Sequence, residues 1–346
     1  MRKIIVIIFT FAFGLSLKVD GNNYIYECIL SSDSVDYIVP PILKFNKDRK
    51  FKVVQFTDFH YQYNSRRSDT AVMQALEVIR LEKPDLVVLS GDVVCSQNTS
   101  LAWKCLADSM KSSTTPWAVI LGNHDIEYEM TGREIMDQLT GLPYCMAVNG
   151  PSDISGHGNY VLSILDSEGK QRVNELYFMD THTSLRKDKS LGEYDWIKSD
   201  QILWFKHQAV LSEQELGKIV PSLLFIHIPL PEYNNVLYQN STIGIQEELI
   251  CSPDMNSGMF TALKESGDVM GVFCGHDHNN NFIGEYRDIA LAYGSVSGIE
   301  CYGKIGRGAR VIELNEDKRG FTTWIRYPAA PVKYKVSYPD FYKKIK

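Results

Sequence analysis

The sequence predicts an α/β fold in which helices cover both faces of a β-sheet. Short apolar runs, typical of buried strands, alternate with amphipathic segments, typical of helices, along most of the chain. Asp, His and Asn residues follow directly on several of the apolar runs. The chain has 346 residues, of which 44% are hydrophobic, so it is long and apolar enough to bury a large core.

The first half of the chain shows the alternation clearly. The expected elements are a strand at 52–56, a helix ending before Pro84, a strand at 86–89, a helix at 101–110 and a strand at 117–121. Ser68 and Asp69 are candidate caps for the first helix, and Val72, Leu76 and Ile79 form its apolar face. Parallel βαβ units are the arrangement that this order favours.

The second half is less regular. Strands are expected at 223–226 and 269–273. Residues 144–200 are rich in Gly, Asp and Ser, and we interpret them as an insertion with two short strands, 160–165 and 176–179. The segment after Tyr327 is rich in Pro and Tyr and is expected to pack along the surface.

The N-terminus has the pattern of a secretory signal peptide. Arg2 and Lys3 precede an apolar run from Ile4 to Leu15, which is too short for a comfortable membrane span. Small residues indicate cleavage near Gly14 or Ser16, and an uncleaved anchor is the alternative. The predicted organisation is a signal peptide at 1–16, an extension at 17–47, a main domain at 48–330 and a tail at 331–346.

Other features agree with a secreted or lumenal protein, whether extracellular, vacuolar or lysosomal, with no stable membrane span after cleavage. Asn98 and Asn240 begin glycosylation sequons. Seven cysteines would allow disulfides there, and Cys274, inside an apolar run, is expected to be a buried thiol. A net charge of −6 and a pI near 5.8 argue against a nucleic-acid partner, which requires a basic surface.

Candidate metal ligands follow the apolar runs in a fixed order. They are Asp58, His60, Asp92, Asn123, His227, His276 and His278, with His124 as an eighth polar residue beside Asn123. The carboxyl ends of parallel strands meet at one edge of a sheet, so these side chains are expected to converge. Carboxylate, imidazole and amide groups bind hard to borderline metals, and a set of this size suits two ions that share a carboxylate.

These motifs together resemble the metallophosphoesterase (calcineurin-like phosphoesterase) superfamily. The order is Asp-x-His at 58–60, Gly91-Asp92, Gly-Asn-His-Asp at 122–125, His227, and Gly-His-x-His at 275–278. The resemblance covers residues 48–330 and implies two packed mixed β-sheets flanked by helices. It also implies a phosphate-ester substrate.

Further segments resemble the small purple-acid-phosphatase-like proteins of plants and fungi. They are 192–197, 227–232, 256–258 and 302–304. The chain lacks the Asp-Arg-Gly that follows Gly-Asp in calcineurin-type phosphoprotein phosphatases. Purple acid phosphatases have a metal-binding Tyr three residues after the bridging Asp, where this chain has Cys95. Cys95 is expected to be a structural or disulfide cysteine, with a thiolate ligand as the alternative.

The resemblance implies a division of the ligands between two metal ions, which are Fe, Zn or Mn. One ion would be held by Asp58, His60, Asp92 and His278, and the other by Asp92, Asn123, His227 and His276. Asp92 would bridge them. The resemblance also implies that His124 lies beside the phosphate, where it stabilises charge or protonates the leaving oxygen. Asp125 is expected to orient His124.

Several other residues have two possible roles. His157 and His182 either contact substrate phosphate or make ordinary surface hydrogen bonds, and His207 is expected to lie on a helix face. Arg307 and Arg310 either bind phosphate or are solvated or ion-paired.

The predicted function is an acid-phosphatase-like enzyme that hydrolyses phosphate monoesters by direct attack of a metal-bridging hydroxide. The chain has no Gly-x-Ser-x-Gly motif that would supply a covalent nucleophile. The alternatives are a phosphodiesterase with the same site and a catalytically inactive binding protein.

Overall fold

A computed structural model describes residues 15–20, 23–28, 41–185, 189–237, 239 and 241–340. Strands β1 (Leu15–Asp20) and β2 (Asn23–Cys28) pair as an antiparallel hairpin within a unit formed by residues 1–39. The second unit, residues 40–346, contains all the other elements. The predicted signal peptide lies outside the described residues except for positions 15 and 16, and so does the sequon residue Asn240.

The first large sheet has six strands in the order β14-β13-β12-β3-β4-β5. Its members are β3 (Lys50–Phe56), β4 (Leu86–Ser90), β5 (Trp117–Ile120), β12 (Ala309–Asn315), β13 (Phe321–Arg326) and β14 (Lys333–Tyr338). Strands β3, β4 and β5 are parallel, and the other pairs are antiparallel. All side chains of β4 and β5 are buried, as expected for strands covered on both faces. Strand β14 lies in the predicted tail and extends this sheet.

The second large sheet has the order β10-β11-β9-β8-β7-β6. Its members are β6 (Tyr160–Leu165), β7 (Arg172–Phe178), β8 (Ser222–Phe225), β9 (Val269–Cys274), β10 (Ile283–Tyr286) and β11 (Ile289–Tyr293). Strand β7 pairs in parallel with β8. The interpretation of residues 144–200 as an insertion is therefore wrong, because β6 and β7 complete the sheet.

Five α-helices and two 3₁₀ turns are present in the described part of the second unit. They are α1 (Arg66–Glu82), α2 (Thr99–Ser112), α3 (Gly132–Leu139), α4 (Ser199–Leu216), α5 (Met259–Ser266), and the turns Lys189–Leu191 and Pro231–Asn235. Helix α1 begins one turn before the predicted caps, because the Ser65 side chain accepts hydrogen bonds from the Arg67 and Ser68 backbone N–H groups. None of the described helices combines the length and apolar character that a membrane crossing requires.

The two sheets pack face to face through aromatic side chains. Tyr160, Phe178, Phe225 and Phe273 stand side by side on β6 to β9, with ring centroids 4.6, 5.4 and 5.5 Å apart. The Phe273 ring meets the edge of Phe321, on the first sheet, at 5.5 Å. Contacts between such rings add to the free energy of burial. The prediction of two packed mixed sheets flanked by helices is confirmed.

Candidate metal centre

The seven predicted ligands come from five strand ends in the two sheets. Asp58 and His60 follow β3, Asp92 follows β4, and Asn123 follows β5. In the second sheet, His227 follows β8, and His276 and His278 follow β9. All seven side chains are buried, with residue exposures of 8% or less. The structure thus brings together side chains that are more than 200 positions apart in sequence.

The backbone at the strand ends turns sharply towards the centre. Asp58, His60, Asp92 and His276 all have positive φ, at 54°, 47°, 49° and 81°. Residues other than Gly and Asn rarely adopt this conformation, and it requires support from the surrounding fold. Gly91 also has positive φ, and a Cβ atom there would overlap the His227 ring. Gly91 therefore allows the backbone that follows β4, in the first sheet, to pass close to the His227 ring, which follows β8 in the second sheet.

The first donor group consists of Asp58, His60, Asp92 and His278, whose candidate ligand atoms all lie within 4.8 Å of one another. His278 Nε2 is 3.4 Å from Asp58 Oδ1, and His60 Nε2 is 3.6 Å from Asp92 Oδ2. The second donor group consists of Asp92, His227 and His276 within the same limit. His227 Nε2 is 3.2 Å from Asp92 Oδ2. Asp92 belongs to both groups.

Hydrogen bonds from outside the groups fix the orientation of two imidazoles. His227 Nδ1 lies 2.9 Å from the Ser90 carbonyl oxygen, and His278 Nδ1 lies 3.1 Å from the Tyr302 carbonyl oxygen. These contacts favour a proton on Nδ1 of each ring. Nε2 is then the nitrogen that faces the centre and would bind a metal. The His276 backbone N–H donates to the Asp58 carboxylate, with N–O distances of 3.1 and 3.2 Å.

The buried carboxylates remain ionised because imidazoles compensate their charge. Burial alone would raise the pKa of Asp58, but the attraction of His278 outweighs burial and lowers it. Burial alone would also raise the pKa of Asp92, but the attraction of His227 outweighs burial and holds the pKa of that carboxyl well below its usual range. Conversely, burial opposes protonation of His227, yet Asp92 raises its pKa to about 9.

The other two imidazoles of the groups are neutral. Burial lowers the pKa of His60 to about 4 and that of His276 to about 3, despite the nearby carboxylates. Neutral imidazole nitrogens are the form that binds a metal. The centre therefore combines two carboxylates with two imidazoles that present lone pairs, and with His227 and His278, whose raised pKa values mean that each would release a proton on binding a metal.

Unsatisfied polar atoms indicate what the centre fits. His60 Nε2, His227 Nε2 and Asn123 Oδ1 are buried and form no hydrogen bond of ordinary geometry with the protein, although both imidazole nitrogens lie near the Asp92 carboxylate. Burial of polar atoms without partners costs free energy unless another group satisfies them. All three atoms belong to predicted ligands, and a carboxylate shared by two groups suits a pair of cations. The donor set therefore fits two metal ions.

His124 lies at the edge of the centre and has a partner that the sequence did not predict. Its ring centroid is 5.3 Å from that of His60, and its side chain is 39% exposed. Glu127 Oε2 lies 2.8 Å from His124 Nδ1. The expectation that Asp125 orients His124 is wrong, because both Asp125 oxygens accept backbone hydrogen bonds, from Val93, Val94 and Gly122.

Of the remaining candidates, the two arginines have structural roles, and hydrogen bonds are present at His157 and His182. Arg310 is fully buried and donates to the Tyr293, Asn281 and Phe282 carbonyls and to Thr323, so it is neither solvated nor facing phosphate. Arg307 donates to the carbonyls of Cys301, Tyr302 and Ile305. His182 Nε2 lies 2.8 Å from Gln201 Oε1, and His157 donates its backbone N–H to Asp180. His207 lies on α4, as expected.

Two aromatic side chains next to the ligands were not identified as site residues from sequence. Tyr302 stacks on His278 with ring centroids 4.0 Å apart, and Tyr194 meets the edge of the His276 ring at 4.6 Å. Both lie in segments that resemble the purple-acid-phosphatase-like proteins, and that resemblance was the sequence feature that could have identified them. Each tyrosine ring therefore packs directly against the imidazole of a predicted ligand.

Cys95 is a free thiol, as are all the other cysteines for which the structure describes side chains. Burial raises the pKa of the Cys95 thiol to about 11. Its sulfur lies 4.0 Å from Tyr128 Oη and groups with His124 and Glu127 rather than with either donor group. Cys274 is fully buried, as predicted.

Comparisons with known proteins agree with this geometry. A family model described as Calcineurin-like phosphoesterase matches residues 51–280. The chain is 35% identical to Probable inactive purple acid phosphatase 14 of Arabidopsis thaliana, over 82% of this chain and 79% of that protein. It is 31% identical to Phosphatase DCR2 of Saccharomyces cerevisiae, over 84% of this chain and 56% of that protein. The fold is similar to that of a dimetal phosphatase from Danio rerio, with a TM-score of 0.59 at 14% identity, over 83% of this chain and 98% of that one.

Proposed function

Because the chain belongs to the calcineurin-like phosphoesterase family, we propose that it is a metal-dependent phosphatase that hydrolyses phosphate monoesters. The observation that carries this proposal is the position of Asp92 in both donor groups. One carboxylate can then hold two cations close together, as two-metal phosphoryl-transfer sites require. The buried donor atoms without hydrogen-bond partners support the same conclusion.

The proposed ligands divide as the two donor groups do. Asp58, His60, Asp92 and His278 would hold one ion, and Asp92, Asn123, His227 and His276 the other. Carboxylate and imidazole donors suit Fe, Zn or Mn. When bound, such ions neutralise charge on the phosphate oxygens and lower the pKa of water.

His124 is the proposed general acid. Its side chain is much more exposed than the buried ligands, so it lies where a substrate would enter. The Glu127 carboxylate lies 2.8 Å from Nδ1 of the ring, on the side away from Nε2, and Nε2 is the proposed carrier of a proton to the leaving oxygen. Protonation of that oxygen matters most for an alcohol that is a poor leaving group.

A catalytically silent binding protein is the second candidate. The word "inactive" in the name of the Arabidopsis relative favours it. In this chain, however, the proposed carboxylate and imidazole ligands form two groups that share Asp92, which favours catalysis.

Metal analysis combined with a panel of aryl and alkyl phosphate esters tests the proposal. Two ions per chain with turnover of monoesters would support a phosphatase. Preference for diesters would favour a phosphodiesterase instead. Two ions without turnover of any ester would favour the binding protein, and a chain that binds no metal would contradict all three.

We also propose that the protein is secreted or lumenal. Asn98 is exposed at the start of α2, where a glycosyltransferase could reach it. N-terminal sequencing and glycosidase digestion of protein made in its own cells test this proposal. An intact N-terminus on unglycosylated protein would contradict it.

A further inference from the structure

A cysteine that the sequence did not single out as a ligand lies beside the first donor group. Cys301 is in the loop between β11 and β12. Its sulfur and one ring nitrogen each from His60 and His278 all lie within 4.8 Å of one another. Both histidines are also members of the first donor group with Asp58 and Asp92. The sulfur therefore borders the same space as that group.

A second observation indicates that this space receives a ligand. His60 is only 8% exposed, yet its Nε2 has no hydrogen-bond partner. His278 Nδ1 is occupied by the Tyr302 carbonyl, so its other nitrogen faces Asp58 at 3.4 Å. Imidazole nitrogens, a carboxylate and a sulfur in one place are a typical donor set for a borderline metal.

The loop holds Cys301 in this position. Arg307 donates to the carbonyls of Cys301 and Tyr302, with N–O distances of 3.1 Å for both. The Cys301 sulfur itself makes only long contacts, 3.6 Å to the Asp58 carbonyl and 3.5 Å to the Gly298 carbonyl. A thiol is a weak hydrogen-bond donor, so little is lost if the sulfur turns from these carbonyls to a cation.

We propose that Cys301 is a sulfur donor to the metal ion held by Asp58, His60, Asp92 and His278. This role depends on the metal-binding function proposed above. The thiol releases its proton to solvent as the metal–sulfur bond forms. A soft sulfur donor makes this position prefer Zn²⁺ or Co²⁺ over Mn²⁺ and Mg²⁺.

Cys95 is the other thiol near the centre, and the geometry argues against it as the donor. Its sulfur groups with His124 and Glu127, and this group shares no residue with either donor group. Cys301, in contrast, shares two histidines with the first group. The two cysteines therefore make a matched pair for a test.

The test uses the full chain loaded with Co²⁺, because thiolate–Co²⁺ bonds give a charge-transfer absorption in the near ultraviolet that oxygen and nitrogen ligands do not give. We expect wild-type protein to bind two Co²⁺ ions and to show this band. Cys301→Ser should lose the band and still bind Co²⁺ through the remaining ligands. Cys95→Ser, and Cys105→Ser on α2, should keep it.

The outcomes separate the two proposals. Two bound Co²⁺ ions without the band in wild-type protein would overturn the role of Cys301 and leave the metal centre standing. A band that survives Cys301→Ser and disappears in Cys95→Ser would also overturn it. Failure of the wild-type chain to bind Co²⁺ or Zn²⁺ at all would overturn both the metal centre and the sulfur donor. Since the wild-type spectrum alone can contradict the proposal, the test does not depend on the folding of a variant.

Discussion

Replacement of Asp92 by Asn should weaken metal binding at both donor groups at once. Asparagine keeps the shape of the side chain and removes its negative charge. Asp92 is 1% exposed, and its Oδ2 lies 3.2 Å from His227 Nε2 and 3.6 Å from His60 Nε2. Its Oδ1 accepts a hydrogen bond of 2.8 Å from the His124 backbone N–H. The substitution therefore removes charge at the point where the two groups meet.

The magnitude follows from the effect of Asp92 on a single positive charge. Although burial opposes it, Asp92 is the main cause that raises the pKa of His227 from 6.5 to about 9. This net rise corresponds to about 3 kcal/mol in favour of a positive charge at that ring, to which Asp92 makes the largest favourable contribution and Asp58 and the Ser90 carbonyl also contribute. A divalent cation in contact with the same carboxylate is attracted at least as strongly. We therefore expect the affinity of each donor group to fall by about 100-fold or more.

Equilibrium dialysis of metal-free protein against Zn²⁺, followed by elemental analysis, measures this effect. At a free Zn²⁺ concentration that fills two sites in the wild type, Asp92→Asn should hold less than one ion and hydrolyse no aryl phosphate. Asp268→Asn is the matched control. Asp268 is also buried, but it lies just before the start of β9, whereas His276 follows the end of that strand. Two ions bound to Asp92→Asn with unchanged dissociation constants would refute the shared-ligand assignment.

Four further results are expected. His124→Ala should retain two ions and lose about 10²- to 10⁴-fold in rate, more for alkyl than for aryl phosphates in steady-state assays, and an unchanged rate would contradict its role as an acid. Hydrolysis of a chiral labelled phosphate should invert configuration at phosphorus, whereas net retention would indicate a covalent intermediate. With Cys95 in place of the family tyrosine, iron-loaded protein should lack the purple Tyr–Fe(III) absorption band. Glu82→Gln should lower the free energy of unfolding by about 2 kcal/mol near neutral pH, because it removes the charge of the buried Glu82 carboxylate that pairs with Arg326, whose side chain is 22% exposed. Burial would raise the pKa of Glu82, but hydrogen bonds from the Arg326 and Trp324 side chains outweigh burial and lower it. Its stabilising effect is therefore present above the ordinary glutamate pKa and lost as the pH falls through the lowered value, so urea titrations of variant and wild type should converge in acid.

The strands that carry the ligands could be predicted because their signals are local. A continuous apolar run such as 86–89 indicates a strand buried on both faces, and the Gly-Asp that follows marks its end. The structure extends that strand by one residue, to Ser90. The same reasoning located β3, β5, β8 and β9 to within two residues at each end. Convergence of the ligands then followed from the geometry of parallel strands.

Contacts between distant segments could not be predicted in this way. The composition of segment 144–200 is typical of a loop insertion, but β7 pairs with β8, a strand more than 40 residues later. Arg310 has no local feature that distinguishes it from a surface arginine. It is buried because carbonyl groups of Asn281, Phe282 and Tyr293 converge on it in the folded state. Such polar networks depend on tertiary packing, which no short pattern encodes.

The carboxylate that lies beside the His124 ring could not be predicted from the sequence either, although it is close to His124 along the chain. Asp125 is adjacent in sequence, and it is the obvious carboxylate to orient the ring, but its oxygens are used by three backbone N–H groups. Those bonds hold the chain after Asp92 and before Asn123, so Asp125 supports the ligand backbone. Glu127, two residues further on, reaches the ring instead. The direction of a side chain, rather than its distance in sequence, decides which residue acts on His124.

Cys95 separates two properties that the purple acid phosphatases combine, their colour and their catalysis. Colour requires a phenolate on the metal, and this chain has a thiol at that position. The proposed catalysis requires the carboxylates and imidazoles of the two donor groups together with His124, whose ring lies 5.3 Å from that of His60. Because the Cys95 sulfur contacts the surroundings of His124 rather than the donor groups, the replacement leaves those groups intact. The absence of the tyrosine therefore argues against a coloured iron centre, and it does not argue against hydrolysis.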